Sequence, residues 1–203
     1  NDGRKVPKLY SATSSPGSTT GALAGGSSST TGGLDAASAG ADRDGASERF
    51  HHLVELYKDM HQRGDTLNQI PADQTFDGRS LVGQLGTIRD IIAQFGASTV
   101  LDYGCGKALA YQNGVRLADG TEAPSVKALW NVDDIRLYDP GYEPYSSLPE
   151  GKFDVVVSTD VLEHCPEQDV RWIVGEMFGY ADKVLYLTIS CRPAVKHLPN
   201  GEN

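Results

Sequence analysis

Three acids, each at the end of an apolar run and each beside residues suited to a tight turn, are the strongest chemical signal in this chain. In residues 99–108, TVLDYGCGKA, Asp102 is followed by Gly104 and Gly106. A glycine turn can take positive φ and let its backbone come closer to a ligand than any side-chain-bearing residue allows, so a ligand there is held mainly by main chain. In residues 134–140, DIRLYDP, a run with Ile135, Leu137 and Tyr138 ends in Asp139. An acid at the tip of a parallel strand can accept hydrogen bonds from both hydroxyls of a ribose. In residues 152–166, KFDVVVSTDVLEHCP, the buried-strand run of Phe153 and Val155 to Val157 leads into Thr159, Asp160, Glu163 and His164. The order of acid and glycines separates this pattern from the dinucleotide fingerprint, in which GxGxxG comes first and the acid about 20 residues later.

Taken in order, the three segments resemble those of the class I S-adenosylmethionine-dependent methyltransferases. The first motif of that family is an acid, any residue, Gly, any residue, Gly, any residue, Gly. Asp102, Gly104 and Gly106 match it, and Ala108 stands in the place of the third glycine. The DVLEH segment is similar to the one that follows the fourth strand in many small-molecule methyltransferases. The resemblance implies that S-adenosyl-L-methionine is contacted by Asp102, Tyr103, Gly104, Cys105, Gly106, Lys107, Asp139, Pro140, Thr159, Asp160, Val161 and Leu162. Asp139 would take the ribose, and Lys107 would pair with the cofactor carboxylate. A sulfonium carries an already activated methyl group, so transfer needs alignment and, for some acceptors, removal of a proton. His164, as an imidazole, the side chain that titrates near neutrality, is the candidate base, with Asp160 and Glu163 behind it. Each motif alone also has a plain reading: a tight βα turn, a solvated strand-end acid, a helix-start histidine. Their joint order carries the resemblance.

Composition narrows the partners. The chain has 203 residues, 39% of them hydrophobic, and a formal net charge of −9. That suits one core, and it excludes a non-specific nucleic-acid binder, which needs a basic surface to neutralise phosphates. A small-molecule methyl acceptor is expected instead. Neither an apolar span of about 20 residues nor a cleavable leader is legible, so no membrane association is expected. Cys105, Cys165 and Cys191 are odd in number and scattered, which suits reduced thiols and a cytoplasmic protein. No CxxC or HxxxH completes a ligand set around His164 and Cys165, so no metal is expected.

These residues need elements to hold them. The Ser, Thr, Gly and Ala of residues 11–47 lack the apolar surface that would repay ordering, so 1–47 reads as a flexible low-complexity tail without a fold of its own, ordered only within a larger assembly. Residues 48–203 read as the methyltransferase-like domain. A helix runs from Glu48 to Gly64, with Phe50, Leu53, Val54, Tyr57, Met60 and His61 forming a stripe toward the core. A second runs from Ser80 as N-cap through Leu81, Leu85, Ile88, Ile92 and Phe95 to Gly96. The loop between them places Thr75, Phe76 and Asp77 near the mouth of the site. Gln112 to Ser125 reads as an inserted hairpin or loop, Asp169 to Ala181 as a helix and Lys183 to Ser190 as a strand. The interval from Asp139 to Phe153, with Pro140, Gly141, Pro144 and Pro149, has no room for a helix and a further strand.

The order predicts an α/β, Rossmann-like, doubly wound and mainly parallel sheet, reduced at its C-terminal edge. In the family the sheet continues with a helix and an antiparallel hairpin, whereas Cys191 to Asn203 carries Pro193, Pro199 and Gly201. An open edge invites aggregation, so the expectation is that the chain continues or that a protein partner covers the edge. A catalytically idle fold serving in a larger assembly is the rival function. A nucleotide-binding oxidoreductase is disfavoured by the acid-before-glycine order.

Overall fold

Alternation along the strands dictates the layers, because successive strand side chains point to opposite faces. Val100, Val155, Val157, Val184 and Tyr186 fall in one buried cluster, while Leu101, Val156 and Leu185 fall in another. Each strand therefore needs cover on both faces, as parallel sheets do. The structure, a computed structural model, describes residues 10–11, 18–24, 43–76, 78–191, 198 and 200. Its elements are β1 (Tyr10–Ser11), β2 (Ser18–Ala24), α1 (Glu48–Arg63), α2 (Arg79–Val82), α3 (Leu85–Phe95), β3 (Thr99–Tyr103), β4 (Val115–Arg116), β5 (Glu122–Ala123), α4 (Val126–Trp130), β6 (Asp134–Tyr138), β7 (Phe153–Thr159), α5 (Glu167–Tyr180) and β8 (Ala181–Ser190).

The main sheet has the order β2-β8-β7-β3-β6. β6, β3, β7 and β8 run parallel, with Asp102 level with Leu137 on one side and Val157 on the other. Residues of α2, α3 and α4 cover the face that holds Val100 and Val155. Trp172, Ile173 and Met177 of α5, joined by Phe50 of α1, cover the face that holds Leu101 and Val156. This is the expected doubly wound α/β sheet. The interval between β6 and β7 contains a single 3-10 turn, Glu143–Tyr145, where a longer fold would place a helix.

Three local readings need correction. The helix expected from Ser80 to Phe95 is broken at Gly83 and Gln84. The break frees Gln84 to accept a hydrogen bond from the Tyr186 hydroxyl at 2.6 Å. Ser80 lies inside α2 and its Oγ is 3.3 Å from Thr159 Oγ1, so it ties this helix to the end of β7 rather than capping it. The inserted hairpin exists as β4 and β5, but it is followed by a helix that five residues were too few to announce. Ser125 caps that helix, α4, by accepting from Ala128 N at 3.1 Å, and Trp130 Nε1 donates to Leu85 O at 3.1 Å.

Parts of the low-complexity segment also enter the sheets. β2 lies antiparallel on the outer edge of β8, with Ser18 opposite Ser190 and Ala24 opposite Val184, and β1 pairs with β4. The edge expected to stand open is thus paired from within the chain. A ladder is made by main chain and does not require apolar side chains, so composition concealed it. Asp77, Pro193, Pro199 and Gly201 lie outside the described residues, as does most of the 1–47 segment. Among the described residues no helix is long and apolar enough to cross a membrane.

Candidate functional site

The chain leaves β3 for β6 on one side and returns to β7 on the other. A reversal of this kind opens a crevice at the carboxyl ends of the strands, where open α/β sheets bind ligands. Three turns meet there. Gly104 N and Cys105 N both donate to Tyr138 O, at 2.7 and 3.1 Å. The Asp139 carboxylate then joins the β3 turn to the β6 turn, with Oδ2 accepting from Gly106 N and Oδ1 from Gly141 N, each at 2.8 Å. Burial pushes this carboxyl above its ordinary value, and the N–H groups of Gly106, Gly141 and Tyr142 pull it back.

Gly104 and Gly106 have φ of +87° and +55°, and Ala108, at the family's third glycine, also has a positive φ of +52°. A Cβ on Gly104 would lie 2.4 Å from Val161 Cγ2, and one on Gly106 would lie 3.2 Å from the Phe76 Cβ. The close approach that glycine permits is therefore used, but by Val161 from the β7 turn and Phe76 from the loop after α1. The expected bare main-chain cradle is corrected accordingly: these two side chains lie over it.

The remaining predicted residues divide by the direction of their side chains. Asp102, 2% exposed, turns into the α3 side, where the Tyr111 hydroxyl donates to Oδ2 at 2.8 Å. Burial, with a smaller push from the charge of Asp139, raises its carboxyl to about 7 against the pull of that hydrogen bond. Tyr103 turns to the α5 side, donating to Glu176 Oε2 at 2.6 Å beside the Arg43 guanidinium. Cys105 is buried within the turn, and burial holds its thiol far above the ordinary value. Lys107, 8% exposed, bonds through Nζ to Ala72 O and Thr75 Oγ1, while its N–H donates to Phe76 O, so it pins the loop after α1 onto the glycine turn. Pro140 is half-buried beside Asp139.

On the β7 side, Thr159 is buried and Leu162 belongs to the cluster under α5. Asp160 holds a left-handed φ of +54°, a region in which Asp is among the non-glycine residues most often found. Its Oδ1 accepts from Thr188 Oγ1 at 3.1 Å and its N–H donates to Thr188 O. Glu163 Oε1 accepts from Ser190 N at 2.8 Å, while its Oε2 is buried without a partner. His164 is exposed, with its ring 6.2 Å from that of Tyr57. Among the described residues no group of three or more His, Cys, Asp or Glu side chains could hold a metal ion.

The helical stripe of α1, expected to be core, also supplies the roof of the crevice. Ser47 caps α1 by accepting from Phe50 N at 3.0 Å, and Asp169 of α5 fixes Ser47 through its N–H and hydroxyl. At the other end Gly64 turns the chain where a Cβ would meet Ile70 O at 2.2 Å. Held at both ends, α1 sets Tyr57 and His61 over Gly141. The His61 ring lies against those of Phe76, at 4.3 Å and 31°, and Tyr142, at 4.9 Å and 34°. Burial and the Lys107 ammonium lower His61 to about 4. Burial, then the charges of Cys165, Asp139 and Glu163, hold the Tyr57 phenol above its usual range. A 3.6-residue period marks such positions as inward-facing without saying what they face, so only their polar tips hinted at this role.

No protein-family model and no curated protein matches the chain. Among solved structures it is similar to magnesium protoporphyrin IX methyltransferase from Synechocystis PCC 6803, solved with bound SAM, at 18% sequence identity and a TM-score of 0.38, over 73% of this chain and 81% of that one. A likeness at that level adds nothing to the topology described above.

Proposed function

We propose that this chain binds S-adenosyl-L-methionine at the carboxyl ends of β3, β6 and β7 and transfers its methyl group to a small-molecule acceptor. The observation that carries the reading is the junction of three turns at the switch point, where Asp139 bonds the glycine turn and Gly104 touches Val161. The residues present fit such a cofactor. Asp139, bonded to the glycine turn from the tip of β6, presents a carboxylate at the switch point, and the space over Gly104 and Gly106 is taken by the side chain of Val161 and by Phe76.

In this reading each Asp139 oxygen keeps acceptor capacity for a ribose hydroxyl beyond its bond to main chain. Lys107 exchanges its bonds to Ala72 and Thr75 for the cofactor carboxylate. Tyr103, Cys105 and Pro140 contribute backbone, Val161 and Phe76 draw aside, and residues 159–162 line the far wall. The cofactor supplies a methyl group on a sulfonium, so the chain's task is alignment and removal of a proton, with Asp160 and His164 near the transfer. The three free cysteines suit a reducing, cytoplasmic setting.

Titration calorimetry with S-adenosylmethionine and its demethylated product tests the reading. A heat of binding that falls at least about tenfold in affinity in Asp139→Ala, and is lost in Gly104→Val, is expected; silence in the unaltered protein refutes it. Such silence would favour the second reading, an idle fold within an assembly, for which Val161 and Phe76 covering the glycines is the supporting observation.

A further inference from the structure

His61 has no role in the scheme so far. It is 7% exposed, and its Nδ1 has no hydrogen-bond partner among the described residues. Leaving a buried polar atom unpaired is costly, and each case needs a reason, such as a catalytic duty or an absent ligand. The Phe76 and Tyr142 rings lie against it, with centroids 4.3 and 4.9 Å from that of the imidazole. Its Cδ2 lies 3.8 Å from the Cβ position of Gly141, whose N–H holds Asp139, so the imidazole borders the crevice.

A second orphan reinforces the first. Glu163 Oε2 comes from the β7 turn, and Tyr57, one helical turn from His61, lies within the field of both Asp139 and Glu163. Both orphans can accept a proton or a hydrogen bond. A carboxylate or phosphate acceptor would face like charge from Glu163 and Asp139, whereas a hydroxyl would satisfy these atoms.

Building on the methyltransferase reading, we propose that the methyl acceptor is a hydroxyl compound docked at the rim formed by Tyr57, His61 and Glu163, and that His61 Nδ1 receives the proton of its attacking oxygen. An oxygen lone pair forms the new C–O bond as the C–S bond breaks and its electron pair stays on sulfur. The methylated oxygen, now cationic, gives its proton to Nδ1, and the imidazolium returns it to water. Lys107 from the glycine turn, Asp139 and Tyr142 from the β6 turn and Tyr57 from α1 are the titratable groups facing the ring. Burial and the Lys107 charge hold His61 at about 4, so it is neutral with a bare nitrogen at ordinary pH. His164, by contrast, is exposed.

The test uses protein with 15N-labelled histidine rings, saturated with S-adenosylhomocysteine. Phenol is the probe, since Tyr57, Phe76 and Tyr142 offer walls for a ring, and anisole is its partner without a donor. Phenol should move the His61 Nδ1 resonance upfield, in the sense of an accepted hydrogen bond, and bind about tenfold more tightly than anisole. His61→Gln should keep the affinity for S-adenosylhomocysteine within about twofold and lose the preference for phenol. An Nδ1 signal that ignores phenol, or that responds equally to anisole, overturns the proposal. Failure to bind S-adenosylhomocysteine would instead overturn the methyltransferase reading.

Discussion

Alanine at Gly104 tests the meeting of the β3 and β7 turns. The position has φ +87°, and an L-residue forced into the left-handed region costs about 1–2 kcal/mol. The new methyl would lie 2.4 Å from Val161 Cγ2 and 3.1 Å from Cγ1, against an ordinary carbon contact of about 3.5–4.0 Å. Val161 would have to retreat by roughly 1 Å, and overpacking of that kind costs about 1–3 kcal/mol. The sum is a loss of about 2–5 kcal/mol. Val161→Ala removes both clashing carbons. In that background the cost of Gly104→Ala should fall to the backbone part, about 1–2 kcal/mol, leaving a coupling of about 1–3 kcal/mol between the sites. Urea denaturation followed by the fluorescence of the buried Trp130 and Trp172 measures all four proteins. A cost below about 0.5 kcal/mol, or one unchanged by Val161→Ala, would refute the close approach on which the site's geometry rests.

Further outcomes follow from buried charge and backbone. The Asp102 carboxyl rises from 3.8 to about 7 on folding, so ionisation of this group opposes the fold by up to about 4 kcal/mol above pH 7. That penalty fades as pH falls from 7 toward 4, and Asp102→Asn should therefore be more stable than the parent at pH 8 and show a flatter profile; equal or lower stability at pH 8 contradicts this. His61 has the opposite sign: its folded value lies below the free 6.5, so the stability tied to its neutral form is present above pH 6.5 and lost toward pH 4, and thermal melts of His61→Gln should lack that acid-side loss. Gly64→Ala places a methyl 2.2 Å from Ile70 O and 2.7 Å from Ala72 N, which backbone cannot yield cheaply. A loss above about 3 kcal/mol by urea denaturation is expected, and a near-neutral result would mean that α1 is not anchored there.

Much of this was legible in the chain because strands and their end-turns write strong local signals. The runs ending in Asp102, Asp139 and Asp160 are apolar, short and stopped by turn residues, and they became β3, β6 and β7. Interactions made by main chain were not legible. Nothing in DIRLYDP announces that Asp139 would be occupied by Gly106 N and Gly141 N, and nothing in a Ser- and Gly-rich segment announces pairing with β8. The alternation of strands told that Tyr103 and Asp102 must diverge, yet the motif drew both toward the ligand; the structure sends Tyr103 to Glu176 and Asp102 to Tyr111. Tyr57 and His61 were hidden for a different reason. Helical spacing marks a buried face, and only the fold shows that the end of this face overlooks the crevice rather than the core.

Hydrogen exchange on the protein with and without saturating S-adenosylhomocysteine tests the central claim most directly, because it reads three separate peptides at once. Slower exchange is predicted together at residues 104–107, 139–142 and 160–164, the turns that meet over Asp139 and Val161. Protection confined to one of these turns, or falling elsewhere in the chain, would contradict a single adenosyl site at the ends of β3, β6 and β7.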